Sequence, residues 1–512
     1  MICNFLPVKG VSLMLPTSIY AAGNYLLSYL PGMDGAAQRK ELLLQKLFTC
    51  VESNDERTIQ ELFNDDGNFE LITAALRESK NSPLHKAAEL GKEAALGAML
   101  EKLPADIVNI RDEHSRTLLM LASGNGHVDA VRTLLDIDER NTEKRREGMS
   151  EISYPTQALA ASWVDAIKSL LGYLVNLSAP SNILSGIDAQ DGHGYTAVNL
   201  AAASGHLDVV NALIDRGANI NLAASSGKIS PLISAVVGRY QDVVQVLCDA
   251  KADVKAVYGD TTALISAVDA GPDKDGRDLR ATSINTDIIH LLIKAGAEVD
   301  KRGKSGYDAL MTAVARGSLN AIKALIENGA SSRVRTDYGR SLLSIAVDRG
   351  HADIVKYLLE VQNLPADDSC DGGHTPLFAA AFHGDLTVID LLIDNGAKVD
   401  RPVSRNQDTA LFYARDEETA RKLISRGANV HALDLLGQNA LMRATFKGYQ
   451  GVAKVLREHG VDESVKSKLG YSVMSMKDAS DEDSLREMYL EFLKPIPENI
   501  RQQLVGSKTH AT

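Results

Sequence analysis

The chain contains 512 residues, of which 45% are hydrophobic, 24% charged and 5% aromatic, and its formal net charge is −12. A globular chain of this length would form about three or four domains. The acidic balance disfavours duplex nucleic acid as a partner, since phosphates favour a basic surface, although a local basic patch remains compatible with it. The four cysteines are scattered without CxxC spacing, so the sequence predicts neither a zinc ribbon nor a disulfide scaffold. A reducing compartment follows.

The first segment, residues 10–33, carries no charged residue. Its length is sufficient for a membrane span, but Pro16 and Asn24 interrupt the apolar run, and Lys9 alone is a weak basic start for a signal peptide. Two interpretations stay open. Residues 1–37 are either an N-terminal anchor or export signal, or an extension that covers the first repeat or is partly disordered. Met33 is also a candidate for the natural start.

Residues 38–80 are expected to form N-terminal capping helices. Two apolar runs between Arg39 and Asn64 are separated by Asn54 and Asp55, which predicts a degenerate helix pair. Charged residues are frequent in this stretch. An end repeat has only one neighbour, so its other face must be polar.

The clearest internal unit is Gly373–Asp400. Thr375 can cap a helix with its hydroxyl, Pro376 fits the first helical position, and Gly384 is placed to end this short helix. Val388 to Ile393 then supply the wider apolar face of a second helix. The unit is therefore a helix, a turn, a second helix and an extended tip.

Such a unit cannot bury its own apolar faces, and similar units recur along the chain. Each copy has an N-cap residue that aligns with Thr375. These marker residues are Ser82, Thr117, Thr156, Thr196, Ser230, Thr262, Asp308, Ser341, Thr375, Thr409, Asn439 and Ser472. Their spacing ranges from 30 to 46 residues and most often lies near 34.

The period, together with Ser82-Pro83-Leu84-His85-Lys86-Ala87-Ala88, Ala201-Ala202-Ala203-Ser204-Gly205-His206 and Gly217-Ala218-Asn219-Ile220-Asn221, resembles the ankyrin repeat. The resemblance covers residues 38–493 and implies an all-α solenoid of about eleven to twelve stacked helix-turn-helix repeats with hairpin tips, plus capping helices. The array is expected over 81–470, with a C-terminal capping repeat at 471–493 and a tail at 494–512. The resemblance also implies that a partner binds the concave face formed by the tips and first helices.

Four places depart from the period. The charged stretch near 136–153 is expected to be a solvated loop, and a second solvated insertion is expected at 271–283. The repeats at Thr156 and Thr409 are shortened between their two helices. These irregular copies are expected to bend the array locally.

Catalytic chemistry finds little support. His85, His127, His206 and His351 occupy positions where histidine makes structural hydrogen bonds in the resembling family. Cys370 and His374 lie four residues apart, but no third group to orient them is predicted. The sequence has no P-loop, HExxH or GxGxxG motif, and the segments outside the repeats are too short for a catalytic domain. We therefore predict no enzymatic activity, no cofactor and no metal.

The predicted function is a cytoplasmic protein-interaction scaffold that uses the repeats from about Ser305 to Gly448. The candidate contact residues are aromatic or basic side chains on the tips and at the ends of the first helices, the types that dominate protein interfaces. They are Tyr195, Tyr307, Arg316, Arg333, Arg335, Tyr338, Arg340, Arg349, His374, Phe382, His383, Phe446 and Lys447.

Lys301, Arg302, Arg333 and Arg335 on neighbouring tips, with Arg316 and Arg349 behind them, predict a basic patch for an acidic segment of a partner protein. No nucleic acid is expected. Two alternatives are a membrane-tethered adaptor anchored by residues 10–33 and a bacterial effector that acts in the cytoplasm of a host cell.

Overall fold

A computed structural model describes residues 35–150, 186–224, 229–269, 283–370, 372–403, 406–468, 470 and 472–474. Contacts divide the chain into two compact units, Met1–Asn219 and Ile220–Thr512. Residues 1–34 of the predicted N-terminal extension, the repeat at Thr156, the insertion at 271–283 except its last residue, most of the C-terminal capping repeat and the tail lie outside the described residues.

The described part of the first unit is built from helices. They are α1 (Gly35–Ser53), α2 (Glu56–Phe63), α3 (Asp66–Glu78), α4 (Pro83–Leu90), α5 (Glu93–Lys102), α6 (Leu118–Gly124), α7 (Val128–Ser150), α8 (Ala197–Ser204) and α9 (Leu207–Asp215). The N-terminal pair, α1 and α2, is confirmed. A third helix, α3, follows this pair where the other repeats have an extended tip, and it packs against α1.

The described part of the second unit continues the same pattern. Its helices are α10 (Pro231–Gly238), α11 (Gln241–Asp249), α12 (Ala263–Asp269), α13 (Ser283–Lys294), α14 (Ala309–Arg316), α15 (Leu319–Glu327), α16 (Leu342–Asp348), α17 (Ala352–Glu360), α18 (Pro376–His383), α19 (Leu386–Asp394), α20 (Glu417–Ser425), α21 (Ala440–Phe446) and α22 (Gln450–Glu458). A 3₁₀ turn, Ala410–Tyr413, stands in place of a first helix between α19 and α20.

The local chemistry of the repeat unit is confirmed at α18. The Thr375 hydroxyl accepts a hydrogen bond from the Phe378 amide at 3.2 Å, and Pro376 occupies the first helical turn. The helix ends at Gly384, whose φ of 77° lies in the left-handed region that glycine adopts without a steric penalty. This capping position therefore sets where each first helix begins.

The core of each unit lies between stacked helices. First helices pack against first helices, as α16 does against α18, and second helices pack against second helices, as α17 does against α19. Ala380 and Ala381 are fully buried, and their small side chains let the short first helices approach closely. Leu392 is fully buried among the second helices, whereas Leu391 is only partly buried.

Histidines make structural hydrogen bonds, as predicted, and several of these bonds join adjacent repeats. His127 Nε2 lies 2.8 Å from the Glu89 carbonyl, and His351 Nε2 lies 3.4 Å from the Ala315 carbonyl. Each ring thereby meets a carbonyl near the end of the preceding first helix, where carbonyls lack helical partners. His85 instead binds its own cap, with Nδ1 2.9 Å from the Ser82 hydroxyl.

The repeats that begin at Thr117 and Thr196 are direct neighbours. Helix α6 packs against α8 and α7 against α9. His206 Nε2 lies 3.2 Å from the Gly124 carbonyl, which is the bond that joins adjacent repeats elsewhere. The sequence predicted that the repeat at Thr156 would stand between these two repeats. The described helices contradict that order, because those of the repeats at Thr117 and Thr196 pack directly against each other.

The charged stretch after Leu135 is helical through Ser150, so its prediction as a solvated loop is wrong for residues 136–150. Glutamate, lysine and arginine have high helix propensity, so charge alone did not exclude a continuation of α7. Asp136 and Glu139 lie three residues apart on this extension, and both bind Arg216 of α9.

The hypothesis of a membrane anchor concerns residues 10–33, which lie outside the described residues. Among the helices of the described part, none combines the length and the apolar character that a membrane crossing requires.

Truncation of Leu392 should destabilise the second unit. The Leu392→Ala variant removes a fully buried side chain from α19 and should lower the free energy of unfolding by about 2–5 kcal/mol. Hydrogen exchange should increase mainly in α19 and in the helices that contact it, because stability in a repeat array is local. The matched control Leu391→Ala should cost less. A uniform increase in exchange throughout the unit would contradict this expectation.

Asp308 should lower stability at neutral pH. Its Oδ1 accepts the Met311 amide at 2.7 Å, but Oδ2 is buried without a hydrogen-bond partner, and burial raises the pKa of the carboxyl. The Asp308→Thr variant retains a capping oxygen and should raise the free energy of unfolding by about 1 kcal/mol at pH 7.

This gain has a defined pH dependence. Because the folded pKa is raised, wild-type Asp308 is least unfavourable below its unfolded pKa of about 3.9, and its penalty develops as the pH rises through the folded value. Chemical denaturation at several pH values should therefore show the gain shrinking as the pH falls toward 4. If the stability gained by Asp308→Thr did not change with pH, the buried charge of Asp308 would not be its cause.

Candidate protein-binding surface

The tip arginines lie where the sequence placed them, but most form ion pairs with carboxylates. Arg302 binds Asp337 of the next tip at 3.0 Å, and Arg335 binds Asp368 of the tip after that. Stacking places a basic residue of one tip beside an acidic residue of the next. The expected basic patch is therefore largely neutralised on the tips.

The arginines at the ends of the first helices divide into two groups. Arg316 is paired, with Asp269 of the preceding first helix. At the end of α16, Asp348 is also paired, since it binds Arg340 from the tip of the same repeat. Arg349 forms no ion pair within the described residues, although it is exposed at the end of α16. The unpaired positive charge of Arg349 therefore lies at the end of a first helix and not on the tips, where the sequence predicted the basic patch.

The other candidate contact residues differ in exposure. Tyr195 belongs to the first unit and is half-buried, as are Tyr307 and Phe446 of the second. The exposed candidates include the aromatic Tyr338, of which 79% is accessible. The remaining exposed candidates are Arg333, His374, Phe382, His383 and Lys447.

An aromatic ladder runs along one side of α18. The His374 ring stacks on Phe378 with centroids 4.8 Å apart, and Phe378 lies 6.2 Å from Phe382. Phe378 and Phe382 lie four residues apart on one face of α18, and His374, which precedes the N-cap Thr375, stacks on the first of them. His374 and Phe382 were singled out from the sequence. Phe378 was missed, although its spacing from the other two could have identified it.

The ladder continues into the shortened repeat through Tyr413. The Tyr413 ring meets Phe378 edge to face, with centroids 4.4 Å apart, and the Arg443 guanidinium lies 4.0 Å from the centre of the Tyr413 ring. These contacts join three consecutive repeats. Neither Tyr413 nor Arg443 was predicted, because the sequence pattern does not show which side chains meet across repeats.

A buried carboxylate fixes this junction. Asp408 is only 1% exposed, accepts the Tyr413 hydroxyl at 2.6 Å and pairs with Arg443 at 3.3 Å. Burial is the main cause that raises the pKa of the Tyr413 phenol, and the hydrogen bond to Asp408 acts in the same direction. Tyr413 therefore remains a neutral hydrogen-bond donor.

The repeat at Thr409 lacks three residues between its capping position and its second helix. Asp416 is the N-cap of α20, seven positions after Thr409, whereas His351 is the N-cap of α17, ten positions after Ser341. A Cβ atom added at Gly384 would lie 3.0 Å from Asp416, just as one at Gly317 would lie 2.7 Å from His351. Asp416 thus takes the histidine position, and the missing residues belong to the first helix.

Two cations lie on aromatic rings at either side of this short repeat, one on the exposed Phe382 and one on the half-buried Phe446. The Arg415 guanidinium lies 4.7 Å from the centre of the Phe382 ring, and the Lys447 ammonium lies 5.2 Å from that of Phe446. Neither cation forms an ion pair within the described residues. A cation held over a ring in this way contributes about 0.5–1 kcal/mol at an exposed site, and its remaining donors can still bind an anion.

We refer to these residues of the second unit as the aromatic–basic surface. It consists of Arg349, His374, Phe378, Phe382, His383, Tyr413, Arg415, Arg443, Phe446 and Lys447. Its exposed members lie at the ends of α16, α18 and α21 and on the shortened repeat. Large rings and arginines in one rigid row can bind a protein segment with little loss of side-chain entropy.

The same region offers no catalytic arrangement among its described residues. Cys370 Sγ lies 4.0 Å from His374 Nδ1, and the ring of His374 is occupied by its stacking on Phe378. No third group orients the pair in the described contacts. Groups of three or more side chains able to hold a metal ion are also absent from the part of the chain that the structure describes.

A separate cleft of about 330 Å³ lies in the first unit between α7 and α9. Its walls include Arg132, Asp136, Asp208 and Arg216. Arg216 already pairs with Asp136 and Glu139, and the cleft contains no aromatic side chain. It is a weaker candidate than the aromatic–basic surface, since it lacks aromatic side chains and its arginines already pair with carboxylates, Arg216 with Asp136 and Arg132 with Asp129.

Comparison with known families gives one family, described as ankyrin repeats (3 copies), which matches residues 47–145, 157–258, 279–367, 329–403 and 361–434. Among similar proteins, the ankyrin repeat and KH domain-containing protein mask-1 of Caenorhabditis elegans is 31% identical over 92% of this chain. The transient receptor potential cation channel subfamily A member 1 of Homo sapiens is 23% identical over 56% of the chain. The B-cell lymphoma 3 protein homolog of Mus musculus is 26% identical over 48% of it.

The chain spans only part of these relatives, namely 17% of the worm protein, 26% of the human channel and 51% of the mouse protein. Among solved structures, the human ASB11 ankyrin repeat domain is 25% identical, with a TM-score of 0.40, and the match covers 46% of this chain and 99% of that domain. The ankyrin repeat domain of Bcl-3 is 22% identical, with a TM-score of 0.38, over 52% of this chain and 95% of that one.

Two arginines of the surface should differ sharply in their effect on stability. The Arg443→Met variant leaves the buried Asp408 carboxylate without its cation and should lower the free energy of unfolding by about 3 kcal/mol. The matched variant Arg415→Met removes an exposed side chain and should change it by less than about 0.5 kcal/mol. Urea unfolding measures both. Equal losses would contradict the assignment of Arg443 to structure and of Arg415 to the available surface.

Proposed function

Since this chain belongs to the ankyrin repeat family, we propose that it is a non-enzymatic scaffold that binds a partner protein through the aromatic–basic surface of its second unit. Ankyrin repeats mediate protein–protein interactions. The observation that carries the proposal is the row of rings and exposed cations at the first-helix ends and on the shortened repeat, which includes Arg415 on Phe382 and Lys447 on the half-buried Phe446.

The composition of this surface supports a protein partner. Phenylalanine, tyrosine and arginine are enriched where protein interfaces derive most of their binding energy. The rings are already oriented by contacts with one another, as Phe378 is by His374 and Tyr413. A prearranged surface loses less entropy when a partner binds.

The charge of the surface supports an acidic partner segment. Arg349, Arg415 and Lys447 form no ion pair within the described residues, whereas Arg302, Arg335 and Arg340 on the tips are all paired. The whole chain carries −12, so an acidic partner is repelled elsewhere and attracted here. The proposal therefore transfers the acidic-ligand site from the tips to the ends of α16, α18 and α21.

The relatives and the cysteines give further support. One relative is the Drosophila melanogaster NF-kappa-B inhibitor cactus, 29% identical over 27% of this chain and 25% of its own length, whose name states an action on another protein. Cys50, Cys248 and Cys370 are free thiols, which suits the reducing cytoplasm that we propose as the location.

Affinity purification with quantitative mass spectrometry should test this function with three forms of the full chain. They are the wild type, a surface variant with Arg349→Glu and Phe382→Ala, and a control with Lys356→Glu and Thr387→Ala. The control makes the same charge change in the same repeat and a similar truncation in the next, but on exposed positions of the second helices α17 and α19. Circular dichroism should first establish that all three are folded.

Proteins that the wild type and the control retain should be lost by the surface variant, and their retention should weaken with salt because charge pairs are screened. An identical set of proteins for all three forms would contradict the proposed surface.

A further inference from the structure

The shortened repeat leaves a gap in the row of first-helix ends. In the flanking repeats this row is formed by Phe382 and His383 at the end of α18 and by Phe446 and Lys447 next to the end of α21. The repeat between them passes directly from Tyr413 through Ala414 and Arg415 to Asp416. It therefore has no residues equivalent to these two pairs.

The gap has the width of a side chain. Packed helices lie about 8–10 Å apart, so α18 and α21, two places apart in the stack, are separated by roughly 16–20 Å. A helix has a diameter of about 10–12 Å, which leaves roughly 4–10 Å between them. The 3₁₀ turn Ala410–Tyr413 packs against both helices and closes the floor, so the gap is a notch rather than a channel.

The notch has an apolar wall and a basic edge. Phe382, 41% exposed, lies near the end of the helix before the gap, Phe446 ends the helix after it, and Tyr413 ends the 3₁₀ turn between them. Arg415 lies across Phe382, and Lys447 lies across Phe446. The neighbouring carboxylates are already engaged, since Asp416 caps α20 through the Thr419 amide and Asp408 binds Tyr413 and Arg443.

We propose that this notch is the anchoring pocket of the aromatic–basic surface, and that it receives an aromatic or large aliphatic side chain from an acidic, extended segment of the partner protein. This inference rests on the proposed function. A carboxylate near the anchoring side chain binds Arg415, whose planar guanidinium can hold it through two parallel hydrogen bonds. A second carboxylate binds Lys447 on the opposite wall.

The width of the notch selects the conformation of the segment. A helix of about 10–12 Å is too wide to enter, whereas a single side chain from an extended chain fits. Such a chain can run across the ends of the first helices toward Arg349, which lies at the end of α16 beside α18. The pocket supplies the apolar contact, and the three cations Arg349, Arg415 and Lys447 favour acidic residues on either side of the anchoring side chain.

The decisive variant refills the notch. Ala414 and Arg415 are replaced by the five residues that occupy the equivalent place in the repeat at Ser341, namely Ala346-Val347-Asp348-Arg349-Gly350. Tyr413 and Asp416 keep their positions, and the repeat gains the three residues that it lacks. The variant completes a regular first helix, so circular dichroism and thermal unfolding should show a folded protein.

A second variant, Arg415→Glu, tests the charge without changing the backbone. Its matched control is Arg333→Glu, which makes the same charge change at an exposed arginine on a tip outside the notch. If the refilled variant does not fold, Arg415→Glu still tests the charge at the notch, because unchanged affinity with this variant would overturn the inference.

The probe is a phage-displayed library of random twelve-residue peptides, selected on the purified full-length wild type. Selected peptides should combine an aromatic or large aliphatic residue with neighbouring Asp or Glu. Measured by fluorescence anisotropy, their affinity should fall at least about ten-fold with the refilled variant and with Arg415→Glu, and by less than about two-fold with Arg333→Glu.

Three further outcomes would overturn the inference. One is selection of peptides without acidic residues, and another is selection of none at all. The third is peptides that bind the refilled variant as tightly as the wild type. If those peptides still lose affinity with Arg349→Glu and Phe382→Ala, the notch is excluded while the proposed function stands. If they are indifferent to that variant as well, both proposals fail.

Discussion

No repeat of this chain can bury its own apolar faces, so each must pack against a neighbour. The first helices are short and alanine-rich and the second helices carry the larger aliphatic residues, as Ala380, Ala381 and Leu392 illustrate. Burial in such a stack is local, since each pair of helices contacts only those beside it. Side-chain caps hold the start of first helices such as α4, α16 and α18, and histidines such as His127 and His351 join one repeat to the next.

This constraint explains how a repeat can lose part of its first helix and still be stacked. The 3₁₀ turn Ala410–Tyr413 keeps Ala410, Leu411 and Phe412 buried, so the apolar contacts to α18 and α21 persist. The Asp408, Tyr413 and Arg443 cluster adds a polar connection across the shortened repeat. Where this repeat is short, the neighbouring first helix carries the exposed Phe382 and His383, so the shortening mainly changes the outer surface.

The sequence was sufficient for the features that depend on neighbours in the chain. Thr375, Pro376 and Gly384 define a helix start and end through local backbone chemistry, and the period of such units identified the family. The helical extension of α7 was missed because its charged residues suit a solvated helix as well as a loop. The order of the repeats at Thr117 and Thr196 was missed because stacking depends on which faces meet in space.

The binding surface was predicted only in part for the same reason. His374, Phe382 and Lys447 could be named from their places in the repeat, and they lie on the surface described here. The pairing of Arg335 with Asp368 and the contact of Arg415 with Phe382 join residues of different repeats, which the period alone does not place side by side. A sequence pattern gives the position of a charge, but only the stacked structure gives its partner.

The central claim is that a partner protein binds the first-helix ends around the shortened repeat. Hydrogen exchange of the full chain, with and without a partner obtained by affinity purification, tests this most directly. The account predicts that added protection is concentrated in residues 374–383, 412–416 and 443–448. Protection concentrated in the second helices α17, α19 and α20, with the first-helix ends unchanged, would contradict it.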